Sequence, residues 1–589
     1  MNNDNPTLRY FDTEMRYLRE AGLEFADLFP EQAGQLNLDK PGGPDPYVER
    51  LFEGFAFLMG RLREKLDDDL PELTEGLVSL LWPHYLRTIP SLSVVQMLPD
   101  LTQATRSDLL ASGFDVHSQP MGPQRTRCSY TTTRDLTVHP LALESLTLAH
   151  ELDGRSLLRL RFARGELTPW SAMDLGNLPL YLNADSALAN ALHHALTVNA
   201  RAVHLRVPDA PERQLLDGYF IPGGFADADR LWPTGTSSFS GYQLVLEYFC
   251  FRENFMFLHL CGLERVQLPA SARWFEVEVE LKEAWPYPFT PSATHLRLNC
   301  VPVINLFPLE ADPLLLDPLQ SEYLLRPKRL QDGHTEIYSV DQVASLRQAV
   351  RSDYVPFTSF QHKGGMLSHD TPERYFHTRL KQGVSGLYDT WLILGGGGFE
   401  LDRLNDNDAL SLRLTGTNGQ LPRKVLQGTL LDTPGKTRQP GLQVRNLCPP
   451  TLPCPPPNRD RFHWRVLGHL GSNYLSMLDN ADVLRGTLAL YDWTANEANR
   501  RRLKAIVEVR HSLVERFEKG YLIRGVDIEV TLDSGGFAGE GDICLFGEML
   551  SRFFAIYADI HLFNQVTLIL QPSGKCLRWN EKHSRKVPG

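Results

Sequence analysis

No stretch of this sequence is apolar for long enough to cross a bilayer, which takes ~18–20 residues. The nearest candidate, Leu244 to Leu263, is broken by Glu247, Arg252, Glu253, Asn254 and His259. The opening MNNDNPTLRYFDTEM has neither a basic n-region nor an apolar h-region, so no signal peptide is expected. Basic charge is also in deficit. A net charge of −11 argues against a general nucleic-acid binder, which would carry a basic patch or stripe. The local run Arg500-Arg501-Arg502-Leu503-Lys504 reads as the solvated face of a helix. The eight cysteines include no C-x-x-C pair, which suggests a reducing compartment and thiols packed as small hydrophobes. A cytoplasmic protein is expected.

The motifs of catalysis are missing as well. Neither G-x-S-x-G nor H-E-x-x-H occurs. Gly435-Lys436-Thr437 ends like a phosphate-binding loop, but Gly428 leaves six intervening residues where four are needed, and Pro434 removes an N–H from the cradle. The run Gly395–Gly398 lacks G-x-G-x-x-G spacing and reads as a turn after Trp391-Leu392-Ile393-Leu394. His193 and His194 are adjacent, so on a helix they diverge by about 100° and do not chelate as an i, i+4 pair would. Cys448 and Cys454 bracket a proline run with no histidine at ligand spacing, and Cys544 reads as core. The acidic clusters Asp67-Asp68-Asp69 and Glu540 to Asp542 read as a solvated helix end and a glycine-rich turn before a helix at Ile543. Trp232, Trp274, Trp285, Tyr287 and Phe289 are expected to pack in a β core, with a sugar- or peptide-binding groove as the alternative. No catalytic residue, metal ligand or cofactor is assigned.

What is present is enough chain for several domains, because single cores stop growing near ~250–300 residues. At 42% hydrophobic and 22% charged, the 589 residues have the balance of an ordinary globular protein. Residues 1–92 read as helical, with Asn5-Pro6 and Asp45-Pro46 as N-cap and first-turn proline, and Pro71 opening a third helix that Pro83 stops. Residues 93–330 read as a β-rich body. Leu146, Leu148 and Leu152 alternate before Asp153-Gly154, and Leu158, Leu160 and Phe162 after it, as in a hairpin. Phe275, Val277, Val279 and Leu281 alternate with Glu276, Glu278 and Glu280, predicting a strand with one wet face. A helix is expected at Ala184–Leu196. Residues 331–457 read as a mixed β and loop domain. It ends in LCPPTLPCPPP, expected to run as an extended connector unable to pair in a sheet. Residues 458–589 form an α/β module, with strands at Val526–Leu532 and Val566–Leu570 around a helix carrying Phe546, Met549, Leu550, Phe553, Phe554 and Tyr557. The predicted class is α+β, multidomain.

The segment from Asp45 to Leu66 carries the most information. At about 100° per residue, Val48, Leu51, Phe52, Phe55, Leu58, Met59, Leu62 and Leu66 share one stripe, expected to be a core face. Phe57 points the other way, among Arg50, Glu53, Arg61 and Glu64, with Gly54 and Gly60 nearby. A large ring there needs cover from a second surface, and the glycines would let another helix approach. Phe57, Gly54, Gly60, Arg61 and Glu64 are the candidate partner-facing residues.

Several blocks of the chain, in order, resemble one family. They are Tyr10-Phe11-Asp12-Thr13-Glu14-Met15-Arg16-Tyr17-Leu18, Asp45-Pro46-Tyr47-Val48-Glu49-Arg50-Leu51-Phe52-Glu53-Gly54-Phe55-Ala56-Phe57-Leu58, and Trp82-Pro83-His84-Tyr85-Leu86-Arg87-Thr88-Ile89-Pro90-Ser91. Gly241-Tyr242-Gln243-Leu244 through Tyr248-Phe249, Cys300-Val301-Pro302-Val303-Ile304-Asn305-Leu306-Phe307, His463-Trp464-Arg465-Val466-Leu467 and Leu545-Phe546-Gly547 with Arg552-Phe553-Phe554 continue the match. Together they resemble the TssF (VasA) family of type VI secretion system baseplate subunits, with local departures at Thr88, Arg252 and Gly416. The resemblance implies a non-enzymatic part of a contractile, phage-like injection machine. It implies two copies joined to one TssG in a wedge with TssE and TssK, around the VgrG spike and beneath the sheath. Neighbouring TssF copies would be further partners, and the assembly would dock at the cytoplasmic face of the inner membrane. It also implies a helical bundle shared between subunits, to which Asp45–Leu66 would contribute a helix. A carbohydrate- or peptide-binding β-rich module is the alternative function.

Overall fold

Strands Leu92–Pro99 and Leu442–Asn446 lie far apart in sequence but side by side in one sheet, and that closure organises the larger part of the molecule. The computed structural model describes residues 11, 15, 18, 46–68, 78, 83–121, 125–151, 154–208, 214–216, 218–232, 241–266, 268–317, 320–327, 335–347, 350–357, 374–382, 388–395, 409–424, 431–434, 441–457, 465–466, 477–494, 496–518, 521–557 and 562–583. The chain forms two units, one of residues 1–80 with 458–470, the other of residues 81–457 with 471–589. The class is α+β, as expected.

In the first unit the clearest element is helix α1, Pro46–Asp68. Proline suits its first position, where the N–H has no intrahelical partner anyway. The expected first helix after Asn5-Pro6 and the third after Pro71 lie almost wholly outside the described residues. Only Phe11, Met15, Leu18 and Val78 of those segments are described, all helical.

The second unit is built from sheets. A six-stranded sheet runs in the order Leu431–Pro434, Asp115–Ser118, Ser129–Thr132, Cys300–Ile304, Leu92–Pro99, Leu442–Asn446. Val95, Met97, Val116, Tyr130, Val301, Val303 and Val444 fill its core. The proline-rich segment that follows is no free connector. Its non-proline residues carry the pairing: the Leu447 N–H donates to the Val94 carbonyl at 2.8 Å, the Thr451 N–H to Leu92 at 2.8 Å, and Cys454 exchanges two bonds with Ile89. Proline lacks only its own donor, so prolines placed between these residues leave the contacts intact.

A five-stranded sheet runs Gln214–Leu216, Ala200–Arg206, Trp274–Leu281, Ser156–Arg164, Leu141–His150, and the expected hairpin joins its last two strands. Its supposed wet face is covered. Glu276, Glu278 and Glu280 are buried, because arginines on the neighbouring strand, and one just before it, lie over them: Arg161 on Glu276 at 3.0 Å, Arg159 on Glu278 at 2.9 Å, Arg155 on Glu280 at 2.9 Å. Alternation locates the face but not the salt-bridge lid. Trp232 and Trp285 are buried, and Arg161 stacks over the Trp274 ring at 4.3 Å. These aromatics pack rather than line a groove.

Helix α2, Ser186–Thr197, starts where Asp185 accepts from the Leu188 N–H at 2.9 Å. Helix α3 is Gly241–Cys250, α4 is Ala481–Ala489 and α5 is Glu497–Lys504. Helix α6, Glu540–Tyr557, crosses over between the parallel strands Tyr521–Asp533 and Leu562–Gln571. Leu545, Phe546, Met549, Leu550, Phe553 and Phe554 of α6 are completely buried. Gly541 lets α6 approach α2, since a Cβ there would overlap the Asn190 carbonyl.

Candidate partner interface

Helix α1 leaves part of the stripe its sequence marks as core exposed. Ala56 is fully buried, Phe52 and Met59 are half-buried, but Leu51 is 72%, Phe55 54% and Leu58 66% exposed. Tyr47 is 83% and Phe57 48% exposed. At about 100° per residue, Phe57, Tyr47, Leu58, Leu51 and Phe55 follow one another around an arc of about 160°. The correction is physical. Periodicity shows which residues avoid water, and a helix whose apolar arc exceeds what its own unit covers leaves the remainder for another surface. The spacing Tyr47, Leu51, Phe55, Leu58 is four, four and three, the rhythm of a helix that packs along another helix.

Of the other candidates, Gly54 is exposed on this arc between Phe57 and Tyr47, and a Cβ added there would meet nothing. Gly60, Arg61 and Glu64 are helical, and their side chains lie outside the described residues. The polar flank includes Arg50, 3.6 Å from Glu53.

Several ionisable groups of the second unit are engaged in packing. A cleft of about 470 Å³ is lined by Arg134, Asp229, Phe257, His259 and Cys300 among others. Arg134 pairs with Asp229 at 2.9 Å and lies 4.5 Å over the Phe257 ring. His259 Nδ1 bonds Asn177 Oδ1 at 2.9 Å. Burial pushes the Cys300 thiol well up. Burial, helped by Arg252, pushes His193 down to about 3. Gly435-Lys436-Thr437 lies outside the described residues. Among the described residues, no cluster of three or more His, Cys, Asp or Glu could hold a metal ion.

Sequence reasoning missed a buried node. Arg502, read as solvated, and Asp542, read as part of a glycine-rich turn, are 5% and 1% exposed and bond each other, with Arg252 on the same carboxylate. Glu247 is buried too. It accepts from the Leu231 N–H at 3.0 Å and from Gln243 at 2.6 Å, and burial pushes its carboxyl up to about 7 despite Arg230. A carboxyl that holds its proton more tightly folded than unfolded loses stability as pH rises from the unfolded value towards the folded one. Stability should therefore fall between about pH 4.5 and 7 through this group. Glu247→Gln should flatten that slope in urea midpoints measured across the range, and an unchanged slope would refute the assignment.

The whole sequence answers to one family. The model described as "Type VI secretion system, TssF" matches residues 3–586. The chain belongs to the TssF family. It is 30% identical over 620 aligned positions to the type VI secretion system component TssF1 of Pseudomonas aeruginosa, covering 98% of this chain and 99% of that one. It is similar to a chain in the cryo-electron-microscopy structure of the TssK-TssF-TssG baseplate subcomplex, with TM-score 0.82 and 59% identity over 92% of this chain and all of that one. A chain in a structure of the type VI baseplate complex matches with TM-score 0.68 and 56% identity, over 99% and 100% of the two chains. Among the described residues no helix is long and apolar enough to cross a membrane.

Proposed function

We propose that this TssF-family chain is a structural, non-enzymatic subunit of the baseplate wedge of a type VI secretion system. It assembles two copies to one TssG, with TssK and TssE, around the VgrG spike under the sheath, on the cytoplasmic side of the inner membrane. The similarity to chains of the TssK-TssF-TssG and baseplate structures supports the assembly. The observation that carries the contact is the exposed arc of α1, a helix face with more apolar surface than its own unit covers. The engagement of the cleft's polar groups within the fold, Arg134 with Asp229 and His259 with Asn177, supports a non-enzymatic role.

Co-expression with the cognate TssG and TssK, followed by native mass measurement, tests the assembly. A complex with two copies per TssG is expected, and a chain that purifies alone would refute the reading. Phe57→Glu places a charge on the arc without touching the fully buried Ala56. It should weaken co-purification with TssG by about tenfold, for roughly 1.4 kcal/mol lost, while the lone chain keeps its yield. An unaltered complex would remove Phe57 from the interface.

A further inference from the structure

The C-terminal sheet ends on the strand Ile506–Glu518, which pairs antiparallel with Tyr521–Asp533 on one side. Among the described residues no strand borders its other side. Its 13 residues make it long for an edge, and an edge presents alternate N–H and C=O groups that can template another strand. Along one side of the strand, Val509 is buried, His511 half-buried, and Leu513 70% exposed. The cover stops before the strand does.

We propose that this edge pairs with the same edge of a second copy of the chain, antiparallel about a twofold axis through Ser512. Such an axis stands normal to the sheet, so facing residues share a side and their numbers must sum to an even value. Centring on Ser512 engages the whole strand. It sets Glu508 opposite Arg516 twice, and Leu513 opposite His511 of the other copy. Centring one residue later would set Arg510 against Arg516 and Glu508 against Glu518. Centring on Arg510 would set that residue against itself. Like charges directly opposite destabilise a pair and opposite charges favour it. Arg516 already pairs with Glu581 and bonds Gln565 at 3.2 Å on its own sheet, and Glu508 pairs with Arg510 at 2.8 Å, yet the two side chains keep 39% and 49% exposure, so each can take a second partner across the edge. The two C-terminal sheets would then join into one continuous sheet. This contact requires no TssG or TssK, so its failure and that of the wedge reading are separate results.

The test uses the purified full chain carrying Cys576→Ser, which removes an exposed native thiol. With Ser512→Cys added, mild copper–phenanthroline oxidation should give a disulfide-linked dimer on a non-reducing gel. With Glu515→Cys instead, the two thiols would lie six residues apart along the paired strands, about 20 Å at 3.4 Å per residue, and cross-linking should be absent. By sedimentation velocity, Glu508→Arg, which sets arginine against arginine twice, should weaken dimerisation by about tenfold. Equal cross-linking at positions 512 and 515, none at 512, or a wild-type chain that sediments only as a monomer would each overturn the proposal.

Discussion

Asp542→Ala should lower the folding stability of the larger unit by about 3–5 kcal/mol, the usual cost of removing one partner from a buried ion pair. Asp542 is 1% exposed and accepts from Arg502 Nε at 3.1 Å through both oxygens, from Arg252, and from the Ala538 N–H at 3.0 Å. Arg252 also bonds Asn190 of α2 at 3.2 Å, and Arg502 bonds Asn499 of α5 at 3.0 Å. Asn499 in turn holds the Phe249 carbonyl of α3 at 3.1 Å. One carboxylate thus gathers four helices, and its loss would strand the buried Arg502 guanidinium and the half-buried one of Arg252. Burial alone would raise its pKa, but Arg252, Arg502 and Ala538 overcome that and hold it below the usual carboxylate range. Its contribution is therefore present above the unfolded value near 3.8 and is lost as pH falls through the lower folded one. Urea midpoints near neutral pH would register the loss. The triple variant Arg252→Met, Arg502→Met, Asp542→Leu should recover part of it, since no charge is then left unpaired. A wild-type midpoint for Asp542→Ala would refute the account.

That node shows where sequence reading stops. Arg502 sits in a basic run and Asp542 in an acidic one, and taken alone the first resembles a solvated helix face and the second a glycine-rich turn. Arg252 and Asp542 are 290 positions apart, and no local pattern reports that the fold brings them together. The same limit hides the arginine lid over Glu276, Glu278 and Glu280, because the strand's own alternation is silent about its neighbours. Elements whose signal is local were legible: the Asp-Gly hairpin, α2, and the α6 crossover with its buried aromatics. At the candidate interface, the apolar stripe of α1 was legible but its destination was not. Both a core and a partner select the same residues for avoiding water, and only the exposure of Leu51, Phe55 and Leu58 in the folded chain separates the two.

Leu51→Glu, Phe55→Glu and Leu58→Glu together should abolish co-purification with TssG. Each side chain is more than half exposed in the lone chain, so the substitutions remove little from its own core. Fully burying one such side chain is worth roughly 1.5–3 kcal/mol. Truncated interface anchors are not additive, yet even half the sum of three exceeds about 2 kcal/mol, a loss of more than 30-fold. Charges forced against an apolar partner add a desolvation penalty. The lone variant should keep the circular dichroism and urea midpoint of the wild type, which separates a lost contact from a lost fold. The comparison with Phe57→Glu then locates the partner on the arc. A triple variant that fails where Phe57→Glu has a modest effect centres the contact on Tyr47, Leu51, Phe55 and Leu58, with Phe57 at its margin. Equal failure of both means that the whole arc, Gly54 included, is covered in the assembly. A triple variant that still assembles would mean that α1 faces solvent in the wedge and the subunits meet elsewhere.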